Sequence, residues 1–303
     1  MFKYFSLLFY LQCKYYCLVN VLNKILFLWE MIINVSDLSS YLYCKRKFYL
    51  EKVLGIKDIP KEAIVKGSLR HEWHDKINKI EESIVISVSD NFTFDKLESM
   101  YKRNYSTILR ELIIKHKSKL KQVNISLIDM FRQSWPNLLY ESSSRARNIH
   151  NFITEKNIFG KELWDLLTPK THTEYRIDSL TLGLRGIIDR LEIYDNKYVP
   201  YEVKTGKMSG EGLWPSHKIQ IAAYMILLAE KFNIDIKSGY VRYADHNEDR
   251  ELIMNPFLKE EVVDTKNKVF SLLESKEIPD FCDNKNKCTS CSIKKHCEKP
   301  NFP

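Results

Sequence analysis

Glycine and proline are scarce, nine of each in 303 residues, which excludes a collagen-like repeat and a Pro/Gly-rich disordered chain. Long apolar runs are missing as well. Residues 1–30, MFKYFSLLFYLQCKYYCLVNVLNKILFLWE, are aromatic and aliphatic, but Lys14 and Lys24 cut them into pieces of about ten residues, short of the ~20 that span a bilayer. A polytopic membrane protein is therefore excluded and no membrane partner is expected. The same segment offers only Lys3 as a basic start and has no small-residue cleavage site, so it does not read as a secretory signal. Internal repeats and low-complexity linkers are absent, as is the Walker loop G-x-x-x-x-G-K-[ST], so any motor would be a separate protein. Seven cysteines, an odd number, do not make a disulfide framework; they fit metal-bound thiolates in a reducing cytoplasm.

What is present is a globular composition, 44% hydrophobic and 28% charged. Lys and Arg number 47 against 39 Asp and Glu, and the net charge of +8 favours a polyanionic partner. Met31 opens MIINVSDLSSYLYC, which reads as a protein start. Residues 1–30 are thus expected to be an upstream extension of the frame, with an amphipathic partner helix as the second reading and a membrane anchor as the last. Cys13 and Cys17, at i and i+4, read as apolar helix residues.

From Ser36 as N-cap, Leu38, Tyr41 and Leu42 recur at helical spacing, predicting one amphipathic helix over 37–52 that carries Cys44 and the basic residues Lys45, Arg46, Lys47 and Lys52. A second helix over about 61–81 carries His71 and His74, and SIVISV after it reads as a short strand. Residues from about 91 to 168 have helical spacing in at least two pieces, with Tyr105, Leu109, Leu112 and Ile113 on one face. Within 101–122, seven Lys or Arg stand against one Glu, either a solvated face or a nucleic-acid surface. After Pro169, HTEYRID, TLGLRGIIDRLEIYD and KYVPYEVKTGK read as an antiparallel meander. A helix over 214–231, strands KSGYVRYA and RELIMN, and a helix over 256–276 follow. The fold class is a mixed α/β (α+β) core with one helical insertion, read as a single unit over 31–303.

Asp189 in GIIDRLEI and Glu202 in PYEVKTGK lie on adjacent strands, and Glu202 and Lys204 alternate onto one face. Carboxylates among Ile187, Ile188, Val199 and Val203 would be costly without a partner, and Mg²⁺ or Mn²⁺ would remove that cost. Such a cation also supports phosphodiester hydrolysis, with Lys204 orienting water or stabilising the transition state. The spacing alone is equally that of a cross-strand salt bridge. His71 in G-S-L-R-H and the pair Gln220 and Tyr224, one helical turn apart, add further members.

The series G-x-x-x-H, GIIDR, EVKTG, Q-x-x-x-Y resembles the motifs of the RecB-like branch of the PD-(D/E)xK nucleases, with Ile188 where the family name has proline. The resemblance implies a restriction-endonuclease-like mixed sheet flanked by helices. It also implies a metal bound by His71, Asp189, Glu202 and the carbonyl of Val203, with Lys204 as the catalytic lysine. Gln220 and Tyr224 would position the DNA and that lysine.

Cys288, Cys291 and Cys297 follow C-x2-C-x5-C spacing, tight enough for three thiolates on one centre, and Cys282, His296 and the distant Cys44 are the candidates for a fourth ligand. Three thiolates with an imidazole, or four thiolates, suit zinc, whereas an iron-sulfur cluster prefers four thiolates. The run around Cys44, Y-L-Y-C-K-R-K-F-Y-L, is similar to the N-terminal helix of the CRISPR-associated RecB-like iron-sulfur exonuclease family (Cas-four). In that family one N-terminal and three C-terminal cysteines hold a 4Fe-4S cluster, implying Cys44, Cys288, Cys291 and Cys297 here, with Cys282 as a buried or spare thiol. The match runs from Met31 to Cys297 and excludes only residues 1–30 and the 91–168 insert. Joining Cys44 to Cys288 would remove roughly 5 kcal/mol of unfolded-chain entropy.

The resemblance implies a metal-dependent exonuclease on single-stranded DNA ends that trims captured DNA for CRISPR spacer acquisition beside the spacer integrase, as a monomer or homo-oligomer. Lys45, Arg46, Lys47, the 101–122 cluster, Lys285, Lys287, Lys294 and Lys295 would contact phosphates, and Tyr41, Tyr43 and Trp214 offer stacking faces. Two other readings stand beside it. One is a catalytically silent DNA-end-binding iron-sulfur subunit, against which the full set His71, Asp189, Glu202 and Lys204 argues. The other is a repair, recombination or viral nuclease outside CRISPR.

Overall fold

The strand-rich stretch after Pro169 builds a six-stranded mixed sheet in the computed structural model, which describes residues 32–56, 62–204 and 207–298. Residues 1–30, with Cys13 and Cys17, lie outside the described residues, as do Met31 and the Thr205-Gly206 end of EVKTG. The meander is β2 (Lys170–Ser179), β3 (Leu184–Tyr194) and β4 (Lys197–Lys204), antiparallel throughout. β2 lines one edge of β3. The other edge is shared by β4 and by a two-residue strand β1 (Ile33–Asn34), which pairs parallel to Leu184 and Arg185. β1 has no sequence signature, because two residues are too few to carry a period. β5 (Ser238–Tyr243) runs parallel to β4, and β6 (Glu248–Ile253) closes the sheet antiparallel to β5.

The predicted helix over 37–52 is two helices. α1 (Val35–Tyr43) starts after Asn34, not Ser36, with the Asp37 carboxylate accepting from the Asn34 backbone N–H at 3.3 Å. Cys44 then takes extended backbone angles, and α2 (Lys45–Lys52) restarts with the Lys47 N–H 3.4 Å from the Cys44 sulfur. Cys44 therefore ends one helix and caps the next, and the chain turns at the thiol.

α3 (Glu62–Ile86) absorbs most of SIVISV, which is helix and turn rather than strand. Ile84, Val85 and Val88 are buried there, and that packing outweighs their β-branched preference. α4 (Phe94–Lys115), α5 (Lys117–Gln122), α6 (Leu127–Lys156) and α7 (Gly160–Leu166) complete a helical lobe, with Tyr105, Leu109, Leu112 and Ile113 on the buried face of α4. The lobe has a hydrophobic core of its own, and α3 supplies Val65, Leu69, Trp73 and Ile77 to it. It thus begins well before residue 91.

The second core lies between the sheet and α1, α8 (Pro215–Phe232) and α9 (Pro256–Glu274). Two short helices, α10 (Lys285–Thr289) and α11 (Lys294–Cys297), bring the C-terminal cysteines back to α2. No helix among the described residues is long and apolar enough to cross a membrane.

Candidate metal centre and thiol pocket

Asp189 on β3 and Glu202 on β4 are both buried. The Val203 N–H donates to Asp189 Oδ2 at 2.6 Å, and Asp189 Oδ1 faces His71 Nδ1 on α3 at 3.5 Å. Glu202 Oε1 receives Lys204 Nζ and Gln220 Nε2, each at 2.8 Å, while Lys204 also donates to Gln220 Oε1 at 2.9 Å. Gln220 Nε2 reaches the Tyr224 hydroxyl at 3.3 Å. One amide thus fixes the lysine, the glutamate and the tyrosine together, the outcome of placing Gln220 and Tyr224 on the same inward face of α8.

The glycines of the motifs differ in role. A Cβ on Gly186 of GIIDR would stand 2.7 Å from the Tyr224 ring and 3.2 Å from Val35, so only glycine lets that ring lie on β3. A Cβ on Gly67 of G-S-L-R-H would meet nothing within 4 Å.

The electrostatics favour a cation. Burial, and then the Glu202 carboxylate, push Asp189 up to about 8. Burial draws Lys204 down, but Glu202 and Asp189 more than offset it and leave the ammonium above its ordinary value. His71 is raised to about 9, chiefly by its hydrogen bond to Glu174. Glu202, 4% exposed, leaves Oε2 buried with no hydrogen-bond partner. An orphaned carboxylate oxygen among carboxylates and one imidazole fits Mg²⁺ or Mn²⁺.

Sequence reasoning missed Glu174. Its Oε1 lies 2.7 Å from His71 Nδ1, and His71, Glu174 and Asp189 offer ligand atoms all within 4.8 Å of one another. The signal lay in HTEYRID, but only the register of β2 on β3 sets Glu174 opposite Asp189. Beside the centre, His217 on α8 lies 3.0 Å from the Tyr243 hydroxyl and is lowered to about 4 by burial and then by Lys204.

Cys44, Cys288, Cys291 and Cys297 line one small pocket with Cys282, Tyr43, Phe281 and Ile293, and all five thiols are free. His296 is not among the described residues lining it. Five thiols lining one pocket offer a donor set suited to a thiolate-bound centre. Arg46 ties the pocket's two halves, donating to the carbonyls of Pro279 at 2.8 Å and Cys297 at 3.2 Å and covering the Phe281 ring. That guanidinium is turned inward, away from the phosphate-binding role expected of it. Lys45 is exposed and lies over Tyr41, and Lys47 pairs with Glu51. In the 101–122 cluster Lys102 pairs with Glu98, and Lys115 pairs with Glu72. Tyr41 is buried, whereas Tyr43 and Trp214 are exposed.

A family model described as PD-(D/E)XK nuclease superfamily matches residues 32–298. A "CRISPR-associated exonuclease Cas4/endonuclease Cas1 fusion" of Leptospira interrogans serogroup Icterohaemorrhagiae serovar Lai (strain 56601) is 27% identical over 147 residues, 46% of this chain and 27% of that protein. A protein of the same description from Myxococcus xanthus (strain DK1622) is 29% identical over 130 residues, 42% of this chain and 23% of its own length. The chain thus spans about a quarter of the length of the curated relatives it matches. The crystal structure of SSO0001 aligns at 18% identity over 74% of this chain and 94% of that one with a TM-score of 0.29, too loose to carry weight.

Proposed function

The chain belongs to the PD-(D/E)XK nuclease superfamily, and from that premise we propose that it is a divalent-metal-dependent exonuclease that hydrolyses phosphodiester bonds at single-stranded DNA ends. The observation that carries the reading is that β3 and β4 set buried Asp189, in contact with His71, beside buried Glu202, which holds Lys204 through one carboxylate oxygen and leaves the other without a partner. His71, Asp189, Glu202 and the Val203 carbonyl would hold Mg²⁺ or Mn²⁺. When bound, that cation supplies charge neutralisation at the scissile phosphate and activation of water. Lys204, held by Glu202 and Gln220, would offer its remaining ammonium proton to the reacting phosphate or the attacking water. Gln220 and Tyr224 fix that ammonium and border the path of the DNA.

Cys44, Cys288, Cys291 and Cys297 would hold a 4Fe-4S cluster that joins α2 to the C-terminal helices. The presence of all four cysteines in the lining of one pocket supports that assignment. Both curated relatives are described as Cas4 exonuclease/Cas1 endonuclease fusions, which supports a role in CRISPR spacer acquisition with a Cas1-type integrase as partner, in the cytoplasm. Residues 1–30 would be an extension outside the nuclease domain 31–303. Exposed lysines, Lys45, Lys117, Lys119 and Lys121 among them, would contact the DNA backbone, so affinity should fall steeply with salt. The test is anaerobic purification followed by an absorbance spectrum, iron and sulfide assays, and digestion of single-stranded DNA on one sample. A brown protein that digests DNA, and a Cys291→Ala variant that is colourless and less stable, are expected. A colourless wild type would overturn the cluster, and an inert brown one would overturn the nuclease.

A further inference from the structure

We propose that Glu174 is a further side-chain ligand of the divalent cation at this centre, a proposal that rests on the nuclease reading above. Thr173 pairs with Arg190 and Tyr175 with Ile188, so the register brings Glu174 level with Asp189, at the one step of the β2–β3 ladder where no pair forms. Their carboxylates nonetheless come together, with ligand atoms of Glu174, Asp189 and His71 all within 4.8 Å of one another. Two carboxylates in that position repel each other unless a positive charge lies between them. His71 enters from α3 to complete the group, its Nδ1 2.7 Å from Glu174 and 3.5 Å from Asp189.

Two further observations point the same way. Glu202 Oε2, buried and without a partner, belongs to the neighbouring strand of the same centre, so the carboxylate excess extends beyond Glu174 and Asp189. Glu174 also has φ +51, a left-handed backbone within a strand whose neighbours keep their pairing. A non-glycine residue adopts that conformation only at a cost, which the fold itself does not need here, since the ladder continues in register on both sides. The bond from Thr173 Oγ1 to the His74 carbonyl, 2.8 Å, fixes β2 against α3 and so sets Glu174 against His71. Glu174, Asp189 and His71 then supply two oxygens and one nitrogen, a set that suits Mn²⁺ or Mg²⁺ and is too poor in sulfur for zinc structural sites.

The test is a Mn²⁺ titration followed by electron paramagnetic resonance on the full chain, with Glu174→Gln, Glu174→Gly, His71→Ala and the double variant His71→Ala/Glu174→Gln. Glu174→Gly relieves the left-handed backbone and removes the carboxylate, so it should melt no lower than wild type in chelator. Both single Glu174 variants should bind Mn²⁺ at least about tenfold more weakly. The loss should persist in the His71→Ala background, because a ligand acts on the ion directly. Unchanged affinity in both variants would overturn the proposal. So would a loss that vanishes once His71 is gone, since Glu174 would then act only by positioning the imidazole. If the wild type bound no Mn²⁺ at all, the nuclease reading itself would fall, and the two failures are distinguishable.

Discussion

Arg190 and Asp189 are adjacent on β3, yet they belong to two clusters of buried charge that are balanced in opposite ways. In the first, Glu81 accepts from the Tyr101 and Tyr105 hydroxyls at 2.8 and 3.2 Å and from Arg145 at 3.0 Å, and Glu141 lies 3.8 Å from both Arg145 and Arg190. Two carboxylates meet two guanidiniums. The unpartnered buried atoms there, Arg145 Nη2 and Arg190 Nε, are donors. In the second, Glu174 and Asp189 share the His71 imidazole, Glu202 on the adjacent strand holds Lys204, and the unpartnered atom is an acceptor, Glu202 Oε2. The first cluster is closed to solvent, whereas the second opens to it at His71, and the residual polarity is opposite. Buried charge with its countercharges built in is architecture, and buried charge short of cations is a binding site for one.

The largest effect should come from breaking the second cluster. Asp189→Ala or Lys204→Ala is expected to lower DNA cleavage at least about a hundredfold, measured by digestion of end-labelled DNA; in chelator Asp189→Ala, which removes a surplus carboxylate, should melt at or above wild type, whereas Lys204→Ala strips Glu202 of its cation and should melt lower. Breaking the first cluster should do the reverse. Arg145→Ala leaves Glu81 and Glu141 short of a partner in the helical lobe and should cost about 3–5 kcal/mol in urea unfolding, with Mn²⁺ affinity of the folded protein retained.

A smaller effect follows from acid. His74, held to about 4 by burial, and Glu141, held below its ordinary value by His74 and the surrounding arginines against the effect of burial, both titrate below their unfolded values. From about pH 6.5 down to about 4 the unfolded chain takes up a proton that folded His74 refuses, so the stability that His74 contributes falls as pH falls through that window, while Asp189, held up to about 8, acts in the opposite direction. Protonation of Glu141 extends the loss at still lower pH. Thermal unfolding of Asp189→Ala across this range, which removes the opposing group, checks it, and a flat profile for that variant would separate the lobe's stability from its charges. The smallest effect is expected at the surface: Lys115→Ala removes an exposed pair with Glu72 and should change stability by less than about 1 kcal/mol.

The same contrast explains what was legible in the sequence. Period-2 and period-3.6 patterns located β2 to β6, α8 and α9, because those elements bury one face against a continuous core. The Gln220–Tyr224 spacing and the Glu202–Lys204 alternation placed their side chains together because both are local periodicities. Non-local pairing stayed hidden. β1 exists only through Leu184 and Arg185, and Glu174 becomes a neighbour of Asp189 only through the β2–β3 register. The helix break at Cys44 was hidden for another reason: K-R-K-F-Y-L continues the helical pattern, and the turn depends on capping by the sulfur. SIVISV misled because its β-branched side chains fill the helical lobe's core.

The measurement that tests the account most directly is the shortening rate of an end-labelled DNA single strand as Mn²⁺ is returned to protein freed of divalent cations. The account predicts a rate that rises from zero and saturates for the wild type and stays near zero for Asp189→Ala. Undiminished shortening in chelator, or by Asp189→Ala, would contradict it.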